Sequence, residues 1–443
     1  MNSVIFHPAR LHGSAFAPPA KSEAHRALLL AALGRGECRL HGFATPLCDD
    51  TDAMIRGVTA LGARVIAEGD VLRVIPAPPA VPDAPRATCH VHACAAALRM
   101  LIPAFLVRGQ AVRFTMESAL FARPLDAFEP LVRQIGGNMT LTPATNDAPA
   151  SVDISGAMSA GAYEIDGSQS SQFASGLLIA LAHAVDVEGR PAPATLTVTR
   201  PIVSRPYLDM TLQLMKRFRV SFAERDEGVF TLTPAAESSP DDVRVAGDWS
   251  QAAVLLCTNA MGSGVMLSGL CDDQAACLQG DARVLDVLSQ MGLRLYHTRG
   301  ELYAVSPSRA GLMPARVDCS DIPDLAPILA LTCTQARGKS VLTGVGRLRL
   351  KECDRLSATV ELLTRLGARV SVSDNDDKLT VYGPARLHGG FEADARGDHR
   401  IVMLLAAAAL ICDAPITVHG ADALNKSWPG FLATWRKLGG ILS

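Results

Sequence analysis

Apolar residues fall into two kinds of stretch along the chain. The first is apolar on nearly every face and rich in Ala and Leu. It recurs at residues 27–33, 95–106, 173–184, 252–260, 326–332 and 401–411. Stretches apolar all round read as buried helices. The second kind alternates, at 64–75, 138–154, 220–233, 293–305 and 370–382. Turn residues such as Glu68-Gly69-Asp70 and Asp374-Asn375-Asp376-Asp377 interrupt the alternation, so these stretches read as β-hairpins. Between the two kinds lie a short strand (111–115, 194–198 or 341–343), a polar loop and an amphipathic helix such as 358–366.

The order repeats. A helix-ending signature occurs as Leu61-Gly62-Ala63, Ile135-Gly136-Gly137, Phe218-Arg219-Val220, Met291-Gly292-Leu293, Leu366-Gly367-Ala368 and Leu438-Gly439-Gly440, at spacings of 74, 83, 73, 75 and 72 residues. Gly at the second position fits a helix C-terminal cap. Six units of this size account for the 443 residues. The sixth stops at Ser443 without a hairpin, while the chain opens on a spare extended segment, 3–11. The N-terminal strand is therefore expected to complete the last unit. The termini then share one domain, with a second domain inserted between them. The linker at 234–248 and a crossover near Pro18-Pro19-Ala20 divide the chain into 21–245 and 1–20 plus 246–443. Pro-rich 76–85 reads as a surface loop. The expected fold is α/β, with two similar domains of three repeated α/β units each.

Composition narrows the class. Hydrophobic residues are 49% and charged residues 19%, which excludes disorder. A net charge of −2 gives no general nucleic-acid footprint. Eleven cysteines contain no C-x-x-C pair, so scattered thiols are expected rather than a zinc ribbon, a redox dithiol or disulfides. No signal peptide is evident at Met1, and the longest apolar run, 401–412, is too short to span a bilayer. A cytoplasmic monomer with no membrane partner is expected.

Unusual residues gather at two recurring places. One is the start of each buried helix: Lys21-Ser22-Glu23-Ala24-His25-Arg26, His92-Ala93-Cys94, Ser170-Ser171-Gln172, Asp248-Trp249-Ser250, Ile322-Pro323-Asp324 and Asp398-His399-Arg400. Asp248 and Ser250 read as ordinary N-caps. Cations at a helix start oppose the helix dipole, so Lys21, Arg26, His399 and Arg400 point to an anionic ligand. The other place is the loop after each short strand: Cys48-Asp49-Asp50-Thr51, Ala122-Arg123-Pro124, Ser204-Arg205-Pro206-Tyr207, Gln279-Gly280-Asp281, Lys351-Glu352-Cys353-Asp354-Arg355 and Asn425-Lys426-Ser427-Trp428. One such cluster alone would be a solvated helix start. The chain has only seven lysines, and three (21, 351, 426) fall at these repeat-equivalent places, which favours a converging anion site. Gly338-Lys339-Ser340 lacks the glycine and the following helix of a phosphate loop. His90-Val91-His92 has no further ligand cluster beside it, so no metal is expected.

Together these motifs resemble one family. Lys21-Ser22…His25-Arg26, Asp166-Gly167-Ser168-Gln169-Ser170-Ser171-Gln172-Phe173, Ser204-Arg205-Pro206-Tyr207, Lys351-Glu352-Cys353-Asp354-Arg355, Asp398-His399-Arg400 and Lys426-Ser427-Trp428-Pro429 look like 5-enolpyruvylshikimate-3-phosphate (EPSP) synthase, also called 3-phosphoshikimate 1-carboxyvinyltransferase. The resemblance runs in order from about residue 5 to about residue 435. It implies two domains of three repeats, with buried helices inside an outer layer of strands and helices. It implies transfer of enolpyruvate from phosphoenolpyruvate to the 5-hydroxyl of shikimate 3-phosphate with release of phosphate, in aromatic amino-acid biosynthesis. The partners would be phosphorylated small molecules, with no metal or organic cofactor. Carried over by motif, Lys21, Ser22, Arg26, Ser170, Ser171, Gln172, Ser204, Tyr207, Asp324 and Lys351 would hold shikimate 3-phosphate. Lys21, Arg123, Arg355, His399, Arg400 and Lys426 would hold phosphoenolpyruvate. Asp324 would be the base for the attacking hydroxyl, Glu352 the proton donor to the methylene, and Lys21 would stabilise charge as phosphate leaves.

The sequence also departs from the family. The second-repeat loop, of the form G-N-A-G-T-A-x-R-P, is here His92-Ala93-Cys94-Ala95-Ala96-Ala97-Leu98-Arg99-Met100, and an Asn near the K-E-x-D-R motif is Arg347. Ala95 stands where the resemblance places a glycine beside the phosphoenolpyruvate site, also occupied by the herbicide glyphosate, so a glyphosate-insensitive enzyme is expected. A sister family that modifies a UDP-sugar has Cys where this chain has Ser118, which disfavours that reading. Two alternatives stay open: an enolpyruvyl transferase whose acceptor has drifted, and a non-catalytic homologue that binds phosphorylated ligands.

Overall fold

The computed structural model describes residues 3–43, 46–79, 85–234, 239–271, 277–298, 301–305 and 311–443, with backbone alone at 297–298 and 301–305. Parts of 76–85 and 234–248 lie outside the described residues. The six all-round apolar stretches are helices, Lys21–Leu33, Ala95–Val107, Ser171–Leu181, Trp249–Ala260, Ala326–Cys333 and His399–Ala409. Every residue of the Trp249 and Ala326 helices is buried. Most of the helices begin before their apolar run, because the polar residues there form the cap or first turn.

The outer helices Asp49–Ala60, Glu129–Gln134, Arg205–Arg217, Val284–Gln290, Arg355–Arg365 and Phe431–Lys437 each lead to a left-handed residue. These are Gly62, Gly136, Arg219, Gly292, Gly367 and Gly439, with φ from 58° to 100°. Such a residue ends the helix and redirects the chain into the next strand. In five units glycine supplies it without strain, whereas Arg219 takes it at φ 58° with a Cβ in place.

Among the described residues the strands form six sheets on one plan. In the second repeat, Ala87–His90 leads into the buried helix and runs parallel to Val112–Met116, which leaves it. The hairpin Asn138–Thr142/Ala150–Ser155 then adds antiparallel, with Phe114 opposite Val152. Alternate residues of these strands face the buried helix. Two sheets draw their parallel strand from far along the chain. Cys38–His41 pairs with Asp242–Arg244, and Gly264–Ser268 pairs with His12–Phe16. The strand that precedes the Lys21 helix thus lies in the fourth repeat's sheet, and the strand that precedes the Trp249 helix lies in the first. In the sixth sheet Val4–Phe6 pairs antiparallel with Ile416–His419, and Phe6 bridges to Leu442. The N-terminal strand does complete the last repeat.

The chain divides into two compact units, Met1–Pro18 with Ala246–Ser443, and Pro19–Val245. In the latter, the Ala95 and Ser171 helices approach at Gly176. A Cβ there would lie 2.8 Å from Met100 Cα and 2.9 Å from the Arg99 carbonyl. Glycine permits that approach, which sets Arg99 beside the start of the Ser171 helix. All eleven cysteines are thiols. No described helix is long and apolar enough to cross a membrane.

Candidate active site

In the unit Pro19–Val245, the candidate residues cluster at the starts of buried and outer helices. Lys21 opens its helix, and its Nζ lies 2.7 Å from Asp50 Oδ2. Asp50 begins the adjacent outer helix and its side chain is 4% exposed. His25 Nε2 bonds the Asp50 carbonyl at 2.9 Å. Burial lowers the His25 ring to about 4, so it is neutral near pH 7. Arg26 sits in the second turn rather than at the helix start, so it does not oppose the dipole as the sequence reading had it. It is 2% exposed and donates to Thr211 Oγ1, the Ser22 carbonyl, Ser175 Oγ and the Tyr207 carbonyl. It joins three helices, and burial lowers it to about 10.

Ser170 caps the next buried helix, accepting from Gln172 N at 3.3 Å, and Ser171 is buried behind it. Gln172 Oε1 accepts from Arg99 Nη1 at 3.1 Å. Arg99 also donates to the Pro124 carbonyl at 2.9 Å and stacks on Phe173 at 4.6 Å. One buried guanidinium therefore fixes both Gln172 and the loop that carries Arg123. Ser204 precedes the Arg205 helix in the left-handed region, φ 53° and ψ 46°. A non-glycine residue held there is strained, as at many functional positions.

In the other unit the candidates form a denser network. Arg355, 1% exposed, donates from Nε to Asp398 Oδ2 at 2.8 Å, from Nη1 to Asp324 Oδ1 at 2.7 Å and from Nη2 to Glu352 Oε2 at 2.6 Å. Lys351 Nζ reaches the same Asp324 oxygen at 3.0 Å. Asp398 is the N-cap of the His399 helix, taking Arg400 N on Oδ1 at 2.8 Å. Arg400 donates from Nη1 to the Ser250 carbonyl at 2.6 Å, while its buried Nε has no hydrogen-bond partner among the described residues. His399 and Lys426 are buried nearby in the sequence, at the helix start and at the end of the turn Ala421–Lys426.

The electrostatics follow from this packing. Burial would raise the Asp324 carboxyl, but Lys351, Arg355 and Arg400 outweigh it and hold the group well below the usual carboxylate range. Burial lowers Lys351, against the pull of Asp324. The three carboxylates around Arg355 outweigh its burial and hold it charged. Asp324 is therefore ionised, hydrogen-bonded on one oxygen and only weakly basic while Lys351 stays with it.

Residues 5–435 match the family model of EPSP synthase (3-phosphoshikimate 1-carboxyvinyltransferase). The chain belongs to the EPSP synthase family. It is 35% identical to the 3-phosphoshikimate 1-carboxyvinyltransferase of Methanocorpusculum labreanum, covering 98% of each chain. It is 31% identical to the enzyme so named from Clostridioides difficile, covering 99% of this chain and 98% of that one. Among solved structures, EPSP synthase from Acinetobacter baumannii superposes with a TM-score of 0.76 at 21% identity, over 100% of this chain and 99% of that one. The enolpyruvyl transferase NikO from Streptomyces tendae gives 0.75 at 20% identity, over 100% and 98%. These structures share the mixed α/β fold.

Three residues that carry no role in the motif assignments matter in these clusters. Asp50, Asp398 and Arg99 each hold a candidate residue in place. The signal for Arg99 was a lone charge in an all-apolar helix. Asp50 and Asp398 were visible only as members of polar clusters. Asp248 is an N-cap as read, accepting from Gln251 N at 3.0 Å. Ser250 is not: it is the second residue of the helix, and its hydroxyl donates to Asp281 Oδ2. The pair His90 and His92 is committed elsewhere, His90 Nδ1 to Thr115 Oγ1 at 3.0 Å and His92 to Asp52 at 3.4 Å.

Proposed function

We propose that this protein transfers the enolpyruvyl group of phosphoenolpyruvate to the 5-hydroxyl of shikimate 3-phosphate and releases phosphate. The observation that carries the reading is the Asp324–Lys351–Arg355–Arg400 network, joined to full-length membership of the EPSP synthase family. The Asp324 carboxylate there is ionised, and it adjoins a guanidinium whose buried Nε has no hydrogen-bond partner among the described residues. Shikimate 3-phosphate is assigned to Lys21, Ser22, Arg26, Ser170, Ser171, Gln172, Ser204, Tyr207, Asp324 and Lys351. Phosphoenolpyruvate is assigned to Lys21, Arg123, Arg355, His399, Arg400 and Lys426. Within these sets Arg26 and Arg355 are buried and each makes four hydrogen bonds to the protein, which fix Ser22, Tyr207, Glu352 and Asp324 for contact.

The chemistry is proton transfer in a field of fixed charges. Asp324 takes the hydroxyl proton as oxygen attacks the enol carbon, and Glu352 protonates the methylene. The new methyl group then returns a proton to Glu352 as the C–O bond to phosphate breaks and the double bond reforms, and Lys21 stabilises the phosphate that departs. A substrate anion that draws Lys351 away from Asp324 strengthens the base where the nucleophile arrives. The assignment further makes the enzyme insensitive to glyphosate, because Ala95 carries a methyl at the phosphoenolpyruvate pocket.

A phosphate-release assay with both substrates tests the reading. Saturable release that requires shikimate 3-phosphate is expected. No release with that acceptor would reject it, and release with a UDP-sugar instead would move the chain to the sister activity.

A further inference from the structure

Asp281 is 2% exposed and lies on the turn Gly280–Arg283, against the first turn of the Trp249 helix. Its Oδ2 accepts from Ser250 Oγ, and the main-chain carbonyl of the same serine accepts from Arg400 Nη1 at 2.6 Å. Beside it, Gln279 takes Trp249 N on Oε1 at 2.8 Å and donates Nε2 to the Gly247 carbonyl at 2.9 Å. The two side chains clamp the helix start, and with it the carbonyl that Arg400 bonds. Among the described residues that carbonyl is the only hydrogen-bond acceptor of the Arg400 guanidinium.

We propose that Asp281 is a positioning residue for Arg400: it fixes Ser250, through Ser250 the guanidinium, and its charge sets how strongly that guanidinium holds phosphoenolpyruvate. The inference rests on the assignment of Arg400 to phosphoenolpyruvate. Asp281 faces Asp248 and Ser250 on the Trp249 helix, Asp324 on the turn Pro323–Leu325, Cys319, and Arg400. On its own segment Arg283 and Asp286 are exposed, and the Arg283 charge also reaches Cys319. Burial, then the Asp324 charge, raise its carboxyl to about 7, against the Ser250 hydroxyl and Arg400.

A bound anion disfavours a second negative charge beside it, so occupancy raises the Asp281 carboxyl further and a proton is taken up on binding near neutrality. By reciprocity the ionised form weakens binding as pH rises through about 7. A coupling of one pKa unit would be about tenfold in affinity.

Calorimetry with phosphoenolpyruvate, with shikimate 3-phosphate present, in buffers of different ionisation enthalpy, reads this directly, and KM between pH 6 and 8.5 reads it in turnover. The wild type should take up protons, and its KM should rise about three- to tenfold beyond the titration of the substrate's own phosphate. In Asp281→Asn both the uptake and the excess rise should vanish. Ser250→Ala keeps the carbonyl but loses the anchor, and should raise KM about three- to thirtyfold with the effect on KM rather than kcat. A pH step in KM that survives Asp281→Asn, or a wild-type KM in Ser250→Ala, would overturn the inference. A wild type without turnover, yet with proton-linked binding lost in Asp281→Asn, would overturn the functional reading alone.

Discussion

Lys21 Nζ and Asp50 Oδ2 stand 2.7 Å apart, with the carboxylate 4% exposed and the ammonium 22% exposed. The acid is too buried to lose its partner cheaply, whereas the lysine can still turn toward an anion. Lys21→Ala should therefore lower both activity and stability, the latter by about 1–3 kcal/mol, since a buried carboxylate loses its lysine partner. Asp50→Asn in the same chain should restore stability but not activity. Thermal melts of the two single variants and the double variant check this. Additive losses would mean that the two residues do not interact.

Glu352 separates chemistry from binding. Its Oε2 accepts from Arg355 at 2.6 Å, and an amide oxygen can accept the same bond, so Glu352→Gln should keep the local geometry. Turnover should fall about 100-fold or more, the usual scale for a lost acid–base group, with shikimate 3-phosphate affinity nearly unchanged. Lys351→Ala should instead weaken that affinity. Intact turnover in Glu352→Gln would remove its role as proton donor.

Acid should weaken this fold through its two buried histidines, a loss that the raised Asp281 carboxyl offsets in part. His25 and His183 are both lowered by burial to about 4, from an ordinary value of 6.5. Their unfolded forms take up protons that the folded forms refuse, so stability falls as pH drops from about 6.5 toward 4. For fully buried His25 a shift of this size corresponds to roughly 3 kcal/mol at most. His25→Gln should flatten the slope in that window when midpoints of urea unfolding are followed against pH. An unchanged slope would show that His25 titrates normally.

Arg219 is the one non-glycine among the six equivalent left-handed residues. Arg219→Gly should stabilise by about 1 kcal/mol, because the Cβ clash disappears while the turn stays the same. A lower melting temperature would mean that the arginine side chain contributes more than its backbone costs.

The same six positions show what the sequence can and cannot carry. Helices and hairpins were legible because each is set by local pattern, and the Gly62-type signature marks where one gives way to the other. The strands His12–Phe16 and Asp242–Arg244 were not placed, because pairing with Gly264–Ser268 and Cys38–His41 joins segments more than 200 residues apart and leaves no local trace. In the site, charged residues at helix starts stood out, since the dipole makes them anomalous. Arg26 and Arg355 stood out by motif, while their burial and their bonds to other helices left no trace in the sequence. Asp281 and Ser250 were seen only as a loop member and a cap, since the bond between them depends on a turn meeting a helix start some thirty residues away.

Ala95 offers the sharpest test of the altered second-repeat loop. It is the first residue of its helix and is 4% exposed, so its methyl is already enclosed. Cys94 caps that helix, its sulfur accepting from Ala97 N at 3.3 Å, which ties the loop to the helix start. A methyl in a pocket that a ligand must fill costs roughly 1–3 kcal/mol through overpacking, equivalent to about a tenfold to hundredfold loss of affinity. Phosphoenolpyruvate is more compact than glyphosate, so the inhibitor should suffer more. Ala95→Gly should therefore gain glyphosate sensitivity by about tenfold or more and lower the KM for phosphoenolpyruvate less. The glycine costs stability by only about 1 kcal/mol at a helix end, which leaves the variant folded for the assay. Inhibition titrations on the two proteins decide it. Equal and tight inhibition of both would refute the steric argument, because the loop would then have absorbed the methyl by moving outward.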